Sequence, residues 1–284
     1  QPMGFSFHRP ETIDAAISFA SRHGEDARFI AGGTDLIIQI NRRQLAPRHL
    51  ISLAGLGLDG IGETQGEYVI GAMATHDAVV TYPGFQRELI ALAEACAVIG
   101  GRQVRNIATV GGNIVNASPA ADLVPVLLAL DAAVELRGPA GTRSLPLDHF
   151  LVERGRTQRR PDEILIAVRF DKPPAASATA FLKAGRRKAM EISVICVAAH
   201  LVQDAKARIA VGAAASRTVR VPEAEALVER QGIGAFAEAG RLAAGQVTPI
   251  DDVRSSARYR KLLVAALVER ALAACADRIG KTAP

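Results

Sequence analysis

Apolar residues in the first part of the chain alternate between helical and strand spacing. Residues 11–23 carry apolar side chains three or four positions apart, and Gly24 follows, so we predict a helix that ends there. The short apolar run at 28–31 predicts a strand. This strand leads into a glycine pair, and a second apolar stretch at 36–40 comes directly after it.

The middle of the chain continues in the same way. Residues 86–99 have helical spacing. A further helix is predicted at 119–130, because Ser118 is a suitable N-cap and Pro119 is favoured in the first turn. Apolar runs typical of strands occupy residues 68–72, 132–136 and 164–170.

The pattern breaks at a Lys-Pro-Pro sequence, residues 172–174, and small residues follow as far as Ala180. We place a domain boundary here, which divides the chain into 1–172 and 173–284. Beyond it, apolar runs at 192–202 and 207–213 predict a β-hairpin, and helical spacing returns at 223–230, 235–244 and 256–278. Strands followed by helices predict an α+β unit with a sheet packed on a helical layer.

The composition argues against several classes of function. The chain has 284 residues and a formal net charge of +5, but its basic residues are scattered, which disfavours nucleic-acid binding. Cys96, Cys196 and Cys275 are too far apart to predict an iron–sulfur cluster or a zinc site, and they fit a reducing cytoplasm. No signal peptide and no apolar run of about 18 residues is visible, so we expect a cytoplasmic protein without a membrane span.

Two glycine pairs, Gly32–Gly33 and Gly111–Gly112, carry the candidate chemistry, and each precedes a polar residue, Thr34 or Asn113. We interpret each pair as a loop that follows an apolar strand. Backbone amides approach a diphosphate closely only where no Cβ intervenes. Neither pair belongs to a dinucleotide-binding G-x-G-x-x-G motif or to a phosphate loop. Spacing alone leaves a diphosphate site and two ordinary turns as alternatives.

The residues around both pairs resemble the FAD-binding medium subunits of molybdenum hydroxylases, the xanthine dehydrogenase and carbon monoxide dehydrogenase type. The first matching motif is Ala-Gly-Gly-Thr-Asp-Leu at 31–36. The second is Arg-Asn-Ile-Ala-Thr-Val-Gly-Gly-Asn-Ile at 105–114, continued by Ala-Ser-Pro-Ala-Ala-Asp at 117–122. A C-terminal signature, Pro-Ile-Asp-Asp-Val-Arg-Ser-Ser, matches at 249–256, so the resemblance spans nearly the whole chain.

This resemblance implies an α+β fold in two parts. Residues 1–172 would form an FAD-binding domain of the vanillyl-alcohol oxidase (PCMH) type. Its two subdomains, about 1–55 and 56–172, would hold the cofactor in the cleft between them. Residues 173–284 would form a small C-terminal domain with a three-stranded antiparallel sheet and a helical bundle.

The resemblance also implies which residues bind FAD, and it assigns neither a catalytic residue nor a metal ligand. The diphosphate would lie along the two glycine loops, Asp122 would accept a hydrogen bond from the cofactor, Ile99 and Leu165 would pack against the rings, and Lys183 would stand near the isoalloxazine. The full implied set is Phe29, Ile30, Ala31, Gly32, Gly33, Thr34, Asp35, Leu36, Ile99, Thr109, Val110, Gly111, Gly112, Asn113, Asp122, Leu165 and Lys183. Simpler roles remain open: Asp122 complements a helix dipole, Ile99 and Leu165 are core residues, and Lys183 belongs to a solvated basic face.

The implied role is electron transfer. A large partner subunit would oxidise the organic substrate at a molybdenum cofactor, and a small one would relay electrons through two [2Fe–2S] clusters to the FAD of this chain, within a dimer of heterotrimers. An external acceptor, which the sequence does not identify, would take them. Two alternatives are an autonomous FAD oxidase and an assembly subunit that has lost its cofactor. One departure from the family is Glu191, where many relatives have Asp, after the basic pair Arg186 and Arg187.

Overall fold

The computed structural model describes residues 4–185, 192–204 and 206–282. Its first part contains β1 (Ser6–His8), α1 (Ile13–His23), β2 (Ala27–Ile30), α2 (Leu36–Asn41) and β3 (His49–Ser52). The three strands form a parallel sheet in the order β1-β3-β2. Thr12 caps α1, and the predicted apolar stripe of this helix is buried. The chain leaves β2 directly into the first glycine pair.

The second part is built on a five-stranded antiparallel sheet. Its strands are β4 (Ile61–Glu63), β5 (Glu67–Gly71), β6 (Ala133–Gly138), β7 (Gly141–Pro146) and β10 (Ile164–Asp171), and β8 (Leu151–Glu153) pairs separately with β9 (Arg156–Thr157). Its helices are α3 (His76–Thr81), α4 (Ile90–Ala97), α5 (Arg102–Arg105), α6 (Val110–Val115), α7 (Leu123–Ala129) and α8 (Leu147–Phe150). The sheet order is β4-β5-β10-β6-β7, so β10 lies at its centre. A bulge between Leu165 and Ala167 interrupts the register of β10 with β6.

The third part packs a sheet against helices, as predicted. The strands are β11 (Ser177–Ala184), β12 (Ile195–Val202), β13 (Lys206–Gly212) and β14 (Val219–Arg220), and the helices are α9 (Pro222–Gln231), α10 (Phe236–Gln246) and α11 (Ala257–Thr282). All pairs are antiparallel. The three long strands agree with the implied sheet, and the two-residue β14 adds a fourth. Phe181, Cys196 and Ala198 join the core of the second part, so one face of this sheet contacts that part directly.

Most of the small residues that follow the two prolines, where the sequence pattern breaks, are part of a strand. Residues from Ser177 onward form β11, which pairs with β12 over eight residues. Ala178 and Ala180 are 1% exposed and pack in the core beneath the C-terminal helices. Alanine has little intrinsic preference for strands, so this strand depends on pairing and close packing that the local sequence does not reveal.

Two predicted elements in the second part also differ. The helix expected at 119–130 begins at Leu123. Ala117 has a positive φ of 47°, and Ser118 accepts hydrogen bonds in a local turn, at its Oγ from the Ala120 amide and at its carbonyl from the Ala121 amide. The second glycine pair, interpreted as a loop after a strand, lies inside α6 and follows α5. Capping by Thr109 explains why a helix begins there.

Arg186, Arg187 and Glu191 lie outside the described residues. Within the ranges that are described, no helix is long and apolar enough to cross a membrane.

Candidate functional site

A cleft of about 700 Å³ lies where the chain after β2 meets α6 and the central strand β10. This volume falls in the range of about 300–1,000 Å³ that is usual for small-molecule and cofactor sites. The predicted residues that line it are Phe29, Ile30, Ala31, Gly32, Gly33, Thr34, Asp35, Leu36, Ile99, Thr109, Gly111, Gly112, Asn113 and Leu165. Val110, Asp122 and Lys183 are not part of its lining. Val110 is fully buried in the core.

The first glycine pair forms the turn between β2 and α2. Gly33 has a φ of +72°, a backbone conformation that favours glycine. A Cβ on Gly32 would lie 1.9 Å from the carbonyl oxygen of Ile107, so this glycine lets the turn touch the backbone before α6. The amides of Gly32, Gly33 and Thr34 donate to no acceptor among the described residues. They are therefore available as donors at the cleft.

The second glycine pair differs, because its amides are already paired. Gly111 donates to the carbonyl of Ala72 at 2.8 Å, and Gly112 donates to Thr109 Oγ1 at 3.0 Å. A Cβ on Gly111 would lie 2.7 Å from the Cβ of Ala72. On Gly112 a Cβ would meet only Thr109 Oγ1 within 4 Å, at 3.0 Å, so its open side faces away from the protein. Gly111 is thus required for packing, and Gly112 leaves space at the cleft.

Asn113 adds a polar group that the protein itself does not satisfy. Its side-chain Oδ1 is buried and has no hydrogen-bond partner among the described residues. Buried acceptors are nearly always paired, because desolvation of an unpaired polar atom is unfavourable. A donor from a bound ligand, such as a hydroxyl group, would satisfy it.

His76, at the first position of α3, forms part of the cleft wall behind the second pair. Its Nδ1 lies 3.5 Å from Cys96 Sγ, and its backbone amide donates to the carbonyl of Ala108 at 3.1 Å. Burial, aided by the charge of Arg105, lowers the pKa of His76 to about 4. Burial also raises the pKa of Cys96 far above its usual range. Both side chains are therefore neutral at pH 7.

Asp122 and Lys183, predicted as separate cofactor contacts, bind one another. Lys183 Nζ lies 2.7 Å from Asp122 Oδ2, and Ser193 donates its hydroxyl to Asp122 Oδ1 at 2.5 Å. Burial raises the pKa of Asp122, and the Lys183 ammonium only partly offsets that effect. Asp122 is 6% exposed, it directly precedes α7, and its carboxylate is the buried partner of Lys183 and Ser193.

Three charged side chains of the cleft were not selected from the sequence. They are Arg28, Arg159 and Glu163. The two arginines have no sequence signature beyond that of ordinary basic residues. Arg159 belongs to one of the short Arg-Arg clusters, which the charge pattern alone does not connect with a ligand. Other lining residues that sequence reasoning missed include His76, Ala72, Met73 and Gly155, which lie on segments without a motif.

The cleft therefore offers free backbone amides, one open glycine surface, an unpaired amide oxygen and apolar walls from Ile99 and Leu165. A ligand that combines an anionic group, hydroxyl donors and a flat apolar portion would use all of these features. FAD has all three, in its diphosphate, its ribityl chain and ribose, and its ring systems. The donor set accordingly fits this cofactor.

Comparison with known proteins identifies the class. Residues 3–173 match the FAD binding domain in molybdopterin dehydrogenase, and residues 180–275 match the CO dehydrogenase flavoprotein C-terminal domain. The chain belongs to this family of FAD-binding subunits of molybdenum hydroxylases, which are oxidoreductases, and the resemblance inferred from the motifs is confirmed.

Individual relatives are similar along their whole length. A putative xanthine dehydrogenase FAD-binding subunit of Escherichia coli is 33% identical, over 94% of each chain. The carbon monoxide dehydrogenase medium chain of Afipia carboxidovorans is 30% identical, over 95% of this chain and 96% of that one. A solved carbon monoxide dehydrogenase structure from Hydrogenophaga pseudoflava superposes with a TM-score of 0.93 at 29% identity and covers 97% of this chain and 98% of that chain.

Proposed function

We propose that this chain is the FAD-carrying electron-transfer subunit of a heterotrimeric molybdenum hydroxylase. It would take electrons from the [2Fe–2S] clusters of a small partner subunit and pass them to an external acceptor. A large partner subunit with a molybdenum cofactor would oxidise the organic substrate. The observation that carries the proposal is the cleft, where free amides of the first glycine pair meet the open face of Gly112 and the unpaired Asn113 oxygen.

The chain's own residues would bind and orient the cofactor. The amides of Gly32, Gly33 and Thr34 would donate to diphosphate oxygens, because successive backbone N–H groups in a turn can bind an anion. Asn113 Oδ1 would accept a hydrogen bond from a cofactor hydroxyl. Ile99 and Leu165 would cover an apolar ring and exclude water from it. Bound FAD supplies reversible electron transfer, whereas the protein supplies position and electrostatics.

The multi-subunit part of the proposal is supported by the relatives. Their names describe one FAD-binding subunit of a xanthine dehydrogenase and one medium chain of a carbon monoxide dehydrogenase. This chain matches the two over 94% and 95% of its length. We therefore propose that this chain, too, is one subunit of a larger enzyme, in the cytoplasm and as a dimer of heterotrimers.

Purification from the native host under mild conditions tests this function. We expect the chain to copurify with two further subunits, with about one FAD per copy, and the FAD to be reduced by the organic substrate only when both partners are present. The isolated chain should keep the flavin bands in its visible spectrum and turn over no substrate. An isolated chain that oxidises a substrate by itself would indicate an autonomous oxidase, and a chain without flavin would indicate an assembly subunit.

A further inference from the structure

We infer that Arg159, with Arg28 beside it, holds the phosphate-bearing part of the ligand in the cleft and supplies its counter-charge. The inference rests on the proposed function, because it takes FAD as the ligand of the cleft. It assigns to these two arginines a role that neither glycine motif provides.

Arg159 is fixed in place by backbone carbonyls. Its Nη1 donates to the carbonyl oxygens of Arg160 at 2.9 Å, Pro161 at 3.3 Å and Glu163 at 2.8 Å. The guanidinium carbon also lies 6.0 Å from the ring centre of Phe29, a cleft residue on β2. One nitrogen of the guanidinium thus anchors the side chain to the protein and orients the rest.

The remaining donors of Arg159 are not used. Its Nε and Nη2 donate to no acceptor within the part of the chain that the structure describes. They are also absent from the buried polar atoms that lack partners, so they are accessible from the cleft. A planar guanidinium with two free edges matches the oxygens of a phosphate group, which it can bind in a two-pronged manner.

Arg159 has no carboxylate partner within 4.0 Å among the described residues. The carboxylate of the neighbouring Glu163 is bound by other groups. Arg143 donates to both of its oxygens, at 2.7 and 2.8 Å, and the Arg160 amide donates to it at 2.7 Å. Asp162 accepts a hydrogen bond from Ser21 at 3.2 Å. The positive charge of Arg159 is therefore not neutralised by direct contact.

Arg28, the second residue of β2, adds a second positive charge. Its Nη1 donates to the carbonyls of Glu25 at 2.8 Å and Ala27 at 2.9 Å, and it likewise has no carboxylate partner within the described ranges. Burial, and next the charge of Arg28, lower the pKa of Arg159, and the charges of Glu163 and Asp162 partly offset these effects. Two neighbouring cations without a direct carboxylate partner at the wall of a cleft favour the binding of an anion beside them. A diphosphate carries two negative charges and would balance both.

A purely structural role for Arg159 would be to clamp the turn at 160–163. That role uses only Nη1, and it accounts neither for the free Nε and Nη2 nor for the lack of a counter-ion. The two explanations make different predictions for ligands with and without phosphate.

The test compares Arg159→Met, Arg159→Lys and the control Arg160→Met in the full chain freed of flavin. Arg160 is the adjacent, exposed arginine, and it does not line the cleft. Dissociation constants would be measured by competition for FAD, ADP, riboflavin and adenosine. Because a hydrogen bond to a charged group is lost, Arg159→Met should raise the dissociation constants of FAD and ADP about ten- to a hundredfold. Riboflavin and adenosine, which lack phosphate, should stay within about twofold.

Arg159→Lys should recover part of the FAD affinity, because it keeps the charge but not the two-pronged geometry. Arg160→Met should bind all four ligands as the wild type does. Wild-type affinity of Arg159→Met for FAD and ADP would overturn the inference. An equal loss of affinity for adenosine and for ADP would also overturn it, because Arg159 would then contact the adenine base and not the phosphate. Failure of the wild-type chain to bind FAD would instead overturn the proposed function.

Discussion

The two glycine pairs are alike in sequence and different in structure. Each has two glycines and then a small polar residue, yet the first forms an open turn with free amides, and the second lies in a short helix whose amides are paired. In both pairs one glycine is required by the protein itself: Gly32 touches Ile107, and Gly111 touches Ala72. Only Gly112 has a side that opens to the cleft.

This difference shows that a glycine motif at a cofactor site need not be explained by the cofactor alone. The usual argument holds that a Cβ would block the phosphate. Here that argument applies to Gly112, whereas Gly32 and Gly111 allow two segments of backbone to meet. The first pair would supply donors, and the second would supply space and the Asn113 side chain.

The largest expected effect comes from Gly32→Ala. The new Cβ would overlap a backbone carbonyl at 1.9 Å, which cannot move aside as a flexible side chain can. Overpacking against backbone should lower the free energy of unfolding by about 3 kcal/mol or more. The control Gly112→Ala should stay within about 1 kcal/mol of the wild type, since alanine is favoured over glycine within a helix. Urea denaturation of the flavin-free proteins measures both, and equal stability of the two variants would contradict the comparison.

Protonation of His76, behind the second glycine pair, should destabilise the folded protein in acid. Its pKa is about 4 in the folded protein against an ordinary value of 6.5, so the unfolded state binds a proton more readily. The stabilisation is complete above about pH 6.5 and is lost as the pH falls from 6.5 to 4, by at most about 3 kcal/mol. His76→Asn should therefore show a flatter decline of unfolding free energy over this interval.

His200 provides the matched control for this titration. Burial lowers its pKa to about 4 as well, but it lies on β12, away from the cleft. His200→Asn should flatten the acid decline of the unfolding free energy to a similar degree, but only His76→Asn should also lower the pH at which FAD is released. If His76→Asn releases FAD in acid as the wild type does, the second pair does not depend on this histidine.

The smallest effect is expected at Lys183. Asp122 follows the second glycine pair in the chain, but it pairs with Lys183 instead of lining the cleft. Lys183→Met would leave a buried carboxyl whose raised pKa rises further, so Asp122 should take up a proton and the local net charge should not change. The FAD midpoint potential should shift by less than about 30 mV, equivalent to about 1.4 kcal/mol for two electrons. An anaerobic titration that shows a larger fall would indicate that Lys183 acts on the flavin as an isolated charge.

Much of the fold followed from the sequence because its helices and long strands have regular apolar spacing. The predictions for α1, β5 and the β12–β13 hairpin agree with the structure to within a few residues. β11 was not predicted, because alanines after two prolines have no strand signature. Their partners lie on β12 and the C-terminal helices. Such tertiary packing overrides local preference.

The site was predictable where it consists of a contiguous motif. Both glycine pairs and Asn113 were found this way, and the structure places them on one cleft. The separate roles of the glycines were not predictable, because they depend on contacts with Ile107 and Ala72. Arg159 was missed for a similar reason: its partners are backbone carbonyls, and these have no residue-specific signature.

The flavin content of Gly112→Val tests the central claim most directly. A branched side chain there would occupy the open side of Gly112, while the packing around Gly111 stays intact. The matched control is Gly245→Val, at a helical glycine of α10 with no atom within 4 Å of its Cβ position. We predict that Gly112→Val purifies folded by circular dichroism but without FAD absorbance, whereas Gly245→Val keeps about one FAD per chain. A folded Gly112→Val with full flavin content would contradict the placement of FAD in this cleft.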